Sequence, residues 1–214
     1  MLSLRRAIFA TLILCPVPAK AQGTSELWPE IHVYWRPAEH QRTFLELSAS
    51  SERESSKREA TIGLYQDYLR LPRAFFRAGY RFTFSTHDAS YRESRGVAEA
   101  NVTMGNWGKL RLINRTRAEL RWINGDESYR LRDRLHLQRV SSDTRGPAWA
   151  PYVTCEVYYD SRYAGFSRIA GRIGTEARIR GPLTTDVYVA RQNNLRGISP
   201  PYVNALGLIM KLQY

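Results

Sequence analysis

The sequence predicts an all-β protein: a single antiparallel, up-and-down transmembrane β-barrel of ten or twelve strands over residues 22–214. Three observations carry that expectation. Long runs of strict alternation fill the chain from Glu26 onward, each closed by turn residues. No 3.6-residue periodicity of comparable length interrupts them. The last run sets Leu206, Leu208, Met210, Leu212 and Tyr214 on one face and Gly207, Ile209, Lys211 and Gln213 on the other, so that it ends on an aromatic residue. Bacterial outer-membrane barrels characteristically end in this way, and Leu212 and Tyr214 are the expected signal to the assembly machinery.

The first 21 residues read as a cleaved secretory signal. Arg5 and Arg6 form its positive start, Ala7 to Leu14 is an apolar run too short to span a membrane as a helix, and Ala19-Lys20-Ala21 is a small-x-small cleavage site. Cys15 would leave with the signal, and Cys155 alone cannot form an internal disulfide. The remaining length suits one domain.

The net charge of +12 and pI near 10 would ordinarily raise nucleic-acid binding. Here 28 of the 32 basic residues are Arg, and many alternate with apolar residues inside strand-like runs. That is not a basic tail or a helical stripe. With the secretory signal it argues against a nucleic-acid partner.

In chain order the strands are expected near 26–36, 42–52, 58–70, 74–85, 92–104, 109–122, 128–140, 150–160, 166–180, 184–193 and 202–214. Runs of this length suit a tilted crossing of a bilayer, which takes about 9–11 residues; soluble strands average about 5–6. The first stretch contains Pro29 and is the weakest. Eleven stretches conflict with the even strand number of bacterial barrels, so one crossing is missed or one stretch is not a crossing. Leu71-Pro72-Arg73, Gly105-Asn106-Trp107-Gly108 and Arg180-Gly181-Pro182 read as tight turns, while links near Ser51–Lys57, Thr86–Tyr91 and Asn194–Pro201 are longer and polar. Short turns on one side and long loops on the other follow the barrel pattern and place the tight turns with Tyr214 on the periplasmic side.

Two stretches show what each face does. In 128–140, Arg130, Arg132, Arg134, His136 and Gln138 oppose Tyr129, Leu131, Leu135 and Leu137. In 109–122, Arg111, Arg115, Arg117, Glu119 and Arg121 oppose Leu110, Leu112, Ala118, Leu120 and Trp122. An Arg facing lipid at mid-membrane costs roughly 2–4 kcal/mol, so the charged face is the lumen. Pairing through the turns sets Glu99 opposite Arg115, Arg95 opposite Glu119, Arg117 beside Arg132, Glu156 opposite Arg134, Arg178 opposite Asp186 and His32 opposite Glu46. The expected lumen network is Glu99, Arg115, Arg117, Arg132, Arg134, Glu156 and Arg172, with arginine suited to two-pronged carboxylate pairing. Asp133 falls on the apolar face near Thr116 and Asn114, which reads as a register error or a subunit contact. Tyr80, Phe82, Phe84, Trp107, Trp122 and Trp149 suit aromatic girdles at the membrane interfaces.

Little chemistry is legible. His32, His40, His87 and His136 lack metal-ligand spacing, so no metal or cofactor is expected. There is no phosphate-binding loop and no G-x-S-x-G elbow. Ser85-Thr86-His87-Asp88-Ala89-Ser90 is the only loop that could serve a hydrolase at the outer rim, and adjacent loop residues rarely have triad geometry.

Glu26-Leu27-Trp28, Ala78-Gly79-Tyr80-Arg81-Phe82, Tyr129-Arg130-Leu131-Arg132-Asp133-Arg134-Leu135, Pro151-Tyr152-Val153 with Glu156 and Tyr159, and Leu206-Gly207-Leu208 occur in the order found in a bacterial family. In these the chain resembles domain of unknown function 2490. The resemblance implies an outer-membrane barrel and brings no catalytic residues. The expected function is a structural or narrow-pore barrel in contact with outer-membrane lipid and lipopolysaccharide, not an enzyme. The alternatives are a rim hydrolase and a soluble periplasmic lipid-binding barrel with its apolar face inward.

Overall fold

Alternating polarity over a dozen residues can bury one face of a strand, and closing the sheet on itself leaves no unpaired edge. The computed structural model describes residues 23–52, 58–87, 91–140 and 149–214; the expected signal segment 1–21 and much of the expected links at 51–57 and 86–91 lie outside them. In chain order the strands are β1 (Thr24–Ala38), β2 (Gln41–Glu52), β3 (Arg58–Leu71), β4 (Ala74–Ser85), β5 (Arg92–Trp107), β6 (Leu110–Ile123), β7 (Asp126–Arg139), β8 (Trp149–Asp160), β9 (Gly165–Arg180), β10 (Leu183–Asn194) and β11 (Tyr202–Gln213). They form one closed barrel in sequence order. A 3-10 turn, Ser161–Tyr163, follows β8. No helix among the described residues is long and apolar enough to cross a membrane.

The strand count corrects the expectation of ten or twelve. An even number follows only when the first and last strands run antiparallel. Here β1 and β11 run parallel, pairing Thr24 with Val203 and Tyr34 with Gln213, whereas every other neighbouring pair is antiparallel. Eleven strands therefore close without a missing crossing. The suspect first stretch is a full strand. Pro29 lacks an N–H, and the β1–β2 pairing passes from Leu27 to Glu30 without it, while the β1–β11 pairing runs through it.

The strands are tilted. The row of register partners that starts at His32 runs through Glu46, Gly63, Arg81, Arg95 and Arg121 to Ser128, near the start of β7. In the other direction the row runs through Lys211 and Thr184 to Arg178, near the end of β9. The two ends do not meet at one level, which is the stagger a closed barrel requires. Four tight connections, at 38–41, 71–74, 107–110 and 180–183, share the rim of Tyr214. The turn at 123–126, the 3-10 turn and the long link at 195–201 stand on the opposite rim.

Two tyrosines lie flat over inward glycines. The Tyr188 ring on β10 covers Gly207 of β11, where an added Cβ would sit 2.0 Å from Tyr188 Cζ. That bare backbone lets Tyr188 reach past β11 and donate a hydrogen bond to Glu30 of β1 at 3.2 Å. Tyr65 covers Gly63 in the same way and donates to Glu46 at 2.9 Å. The first contact spans the parallel seam, so the glycine in Leu206-Gly207-Leu208 has a physical role in closing the barrel.

Gly207→Val is expected to lift the Tyr188 ring and lower stability by about 1–3 kcal/mol, the usual cost of overpacking. Tyr188→Phe keeps the ring and should cost less. Urea unfolding followed by gel mobility measures both, and a Gly207→Val variant as stable as the parent would refute the ring-over-glycine account.

Candidate functional site

The barrel is polar inside and apolar outside. Glu46, Thr61, Asp67, Thr83, Glu93, Arg95, Glu99, Arg117, Glu119, Arg121, Arg130, Arg132, Thr154, Glu156, Asp160 and Asp186 are buried. Leu27, Ile31, Leu47, Ile62, Leu64, Leu131, Ile173, Val189, Leu206 and Leu208 are exposed. Outward aromatics gather near the rims, with Trp35, Tyr68, Trp107, Trp149 and Tyr214 towards one and Trp122, Tyr129 and Phe166 towards the other.

The wall of β5 to β8 holds a closed ring of alternating charge. Glu119 accepts from Arg132 Nη1 at 3.1 Å, and Arg132 Nε donates to Glu156 at 3.0 Å. Glu156 also accepts from Arg115 Nη2 at 2.6 Å, and Arg115 Nη1 stands 3.7 Å from Glu99. Glu99 pairs with Arg117 at 2.5 Å, and Arg117 Nη1 returns to Glu119 at 3.7 Å. Arg130 adds a further bond to Glu119 at 2.5 Å, and the Tyr158 hydroxyl donates to Glu156 at 3.0 Å. Beside the ring, Glu93 pairs with Arg95 and Arg121 and accepts from the Tyr91 hydroxyl at 2.5 Å; Arg121 continues to Asp160 at 2.7 Å, and Arg162 caps that carboxylate at 2.9 Å. Like charges sit directly opposite at Arg117 and Arg132, an arrangement that repels unless anions are interposed. Glu119, Glu99 and Glu156 supply them.

A second cluster braces the far side. Asp67 takes Arg42 at 2.6 Å and Arg77 at 2.6 Å. The Arg77 guanidinium lies 4.4 Å from the Phe44 ring, which stacks between Tyr34 and Tyr65 at centroid distances of 4.6 and 5.1 Å. Guanidinium groups stack readily on aromatic faces while bonding a carboxylate in plane.

Of the residues expected to form the lumen network, Glu99, Arg115, Arg117, Arg132 and Glu156 stand in the ring. Arg134 and Arg172 face the same cavity without joining it. Arg134 lies opposite Glu156 as expected, yet Glu156 bonds Arg115, Arg132 and Tyr158 instead. Arg172 lies over the Tyr188 ring at 4.8 Å and the Trp28 ring at 5.8 Å. Among the described residues neither forms an ion pair with a carboxylate. Glu119, which joins two arms of the ring, is absent from the network expected from sequence; so are Glu93, Arg121 and Asp160.

The expected registers hold for Arg117 beside Arg132, Glu156 opposite Arg134 and His32 opposite Glu46. Three others slip by two residues. Glu99 faces Arg117, Arg95 faces Arg121, and Asp186 faces Glu176. The β5–β6 turn sits at Gly108-Lys109, with Gly108 at φ +60°, and a bulge falls between Thr103 and Gly105. A second bulge between Leu183 and Thr184 shifts β9 against β10. Asp133 is no register error. It faces Thr116 on the outer wall, accepting from Thr116 Oγ1 at 2.7 Å and Asn114 Nδ2 at 2.9 Å.

A cavity of about 690 Å³ runs beside the ring. Its lining reaches from Glu26, Ile198 and Pro200 near one rim to Arg42, Phe75 and Lys211 near the other. Tyr214 is 71% exposed and donates its N–H to the Tyr34 carbonyl at 2.9 Å, while Leu212 is half-buried. His87 of the rim loop is exposed, and Asp88 lies outside the described residues.

Removing one partner of an enclosed ion pair strands the others, at a cost of about 3–5 kcal/mol. Glu156→Ala is expected to lose about that much, because Arg115 and Arg132 both depend on it. Equilibrium unfolding of the refolded protein measures the loss, and parent-like stability would show that the ring is not holding the wall.

Comparison with curated proteins and with solved structures gives no match. The model of one family, described as "Protein of unknown function (DUF2490)", matches residues 27–198. That span takes in β2 to β10 whole and most of β1, including the complete charge ring, and the chain belongs to this family.

Proposed function

We propose that this protein is a β-barrel of the bacterial outer membrane, a structural or narrow-pore barrel and not an enzyme. The observation that carries the reading is the inverted distribution of polarity. Large apolar side chains cover the outside, and paired charges fill the inside. A water-soluble barrel that carried lipid would need the reverse. Strands of 12 to 16 residues are long enough to cross a tilted bilayer path. The aromatic residues near both rims suit the two interfaces, and the tight turns beside Tyr214 suit the periplasmic side. Outer-membrane lipid, lipopolysaccharide and the assembly machinery are then its partners, the last through Leu212 and Tyr214. The ring of Glu and Arg gives the interior a rigid wall where a lipid-facing Arg would be costly.

The narrow-pore form of this reading draws on the cavity, whose lining extends towards both rims. Among the described residues, His87 stands exposed beside Ser85, Thr86, Phe82, Phe84, Tyr91 and Arg92, and a hydrolase at the rim draws on no comparable arrangement there.

Fractionation of cells expressing the full chain is expected to put the protein in the detergent-soluble outer-membrane fraction, with gel mobility that changes on heating. Recovery from the periplasm without detergent would overturn the membrane reading. In planar bilayers, a steady current through the refolded protein supports a pore; its absence leaves a braced structural barrel.

A further inference from the structure

We propose that Arg115, Arg134 and Arg172 form a binding site inside the cavity for a small phosphate-class oxyanion. Arg115 and Arg134 are direct register partners on β6 and β7. The like-charged pair above them, Arg117 and Arg132, shares Glu119 through direct ion pairs; among the described residues Arg134 forms no direct ion pair. Glu156, the nearest acid by register, bonds Arg115, Arg132 and Tyr158 and forms no ion pair with Arg134. Arg115 also keeps a buried Nε without any hydrogen-bond partner. Buried polar hydrogens are nearly always satisfied, so this orphan donor points to a missing acceptor. Arg172 stands on β9, two strands beyond Arg134, and faces Thr154 across the β8–β9 ladder.

Room for a ligand is built into the same wall. Arg115, Arg134 and Arg172 all line the cavity of about 690 Å³, with Trp28, His136 and Thr154 beside them. Donors arriving from three strands do not lie in one plane. A tetrahedral oxyanion, with more acceptor oxygens than a carboxylate, can accept from all of them. The site lies within the barrel wall, and it does not depend on whether the barrel spans a membrane.

The test uses the refolded barrel in detergent and inorganic phosphate as the probe. Trp28 lines the cavity 5.8 Å from the Arg172 guanidinium and reports on it. Phosphate is expected to change the tryptophan emission saturably and to raise the unfolding midpoint, because a ligand that binds only the folded state stabilises it. Trp28→Phe should abolish the emission change and keep the stabilisation. Arg134→Gln and Arg172→Gln should each weaken phosphate binding by about tenfold or more, as loss of a charge-assisted fork predicts. Arg134→Gln removes a cation that forms no ion pair among the described residues, so it should retain the parent's heat-dependent gel mobility; if Arg172→Gln, which also gives up the Tyr188 and Trp28 rings, fails to refold, Arg134→Gln carries the measurement. The proposal is overturned if sodium chloride at matched ionic strength acts as strongly as phosphate, if phosphate has no effect on the parent, or if affinity is unchanged in the variants. Because every readout is taken on purified protein, failure here leaves the cellular location untouched, and a periplasmic location leaves this result standing.

Discussion

Guanidinium and carboxylate groups packed into a narrow barrel wall lose most of their hydration, and pairing with one another is what offsets that loss. Most of the interior follows from that constraint. Arginine neighbours on adjacent strands, such as Arg117 and Arg132, are tolerable only because a glutamate from a third position reaches between them. The bonds run diagonally across the ladder more often than straight across it, so Glu93, Glu99, Glu119, Glu156 and Asp160 each serve two or three cations. Glu119 alone takes Arg130, Arg132 and Arg117. Such a wall resists shear between strands, since sliding any one of them breaks several bonds together.

Aromatic residues complete the wall where acids run out. Arg77 bonds Asp67 and lies against Phe44; Arg172 lies against Tyr188. In both places the ring does what a carboxylate does in the ionic ring, offering negative charge density to a cation, and it also fills volume. The small residues Gly63, Gly174 and Gly207 leave the space in which those tyrosine rings lie.

The fold is legible because a two-residue period with charge on one side and leucine on the other, repeated over strand after strand, suits a closed sheet with unlike faces. The parity that groups Arg130, Arg132 and Arg134 on one face, against Tyr129, Leu131 and Leu135 on the other, is the parity the structure keeps, with the charged face inside. Register is harder. It depends on the residue at which a hairpin turns and on single-residue bulges, and neither Gly108 nor the bulge after Thr103 is marked by alternation. Hence alternation alone matches Glu99 to Arg115, two residues early, and gives Glu119 to Arg95, outside the expected network. Parity places Arg134 beside Glu156 correctly but cannot tell that Arg115 and Arg132 occupy it. The even strand number fails for another reason: it rests on antiparallel closure, which local pattern does not encode. Asp133 shows the opposite lesson, for the register that seems at fault there is right.

The parallel pairing of β1 with β11 has a consequence for the order of assembly. Every other strand pair joins chain neighbours, so those hairpins can form early and side by side. The seam joins Thr24 to Val203, and its loop contains nearly the whole chain. Its entropic cost falls last, on contacts of the greatest sequence separation, and a parallel ladder is slightly weaker per residue than an antiparallel one. Tyr188 reaching over Gly207 to Glu30, and Arg172 lying against Trp28, tie β1 to strands beyond β11. These two bridges act as a latch: they reward closure only once the open sheet has curled far enough to meet itself.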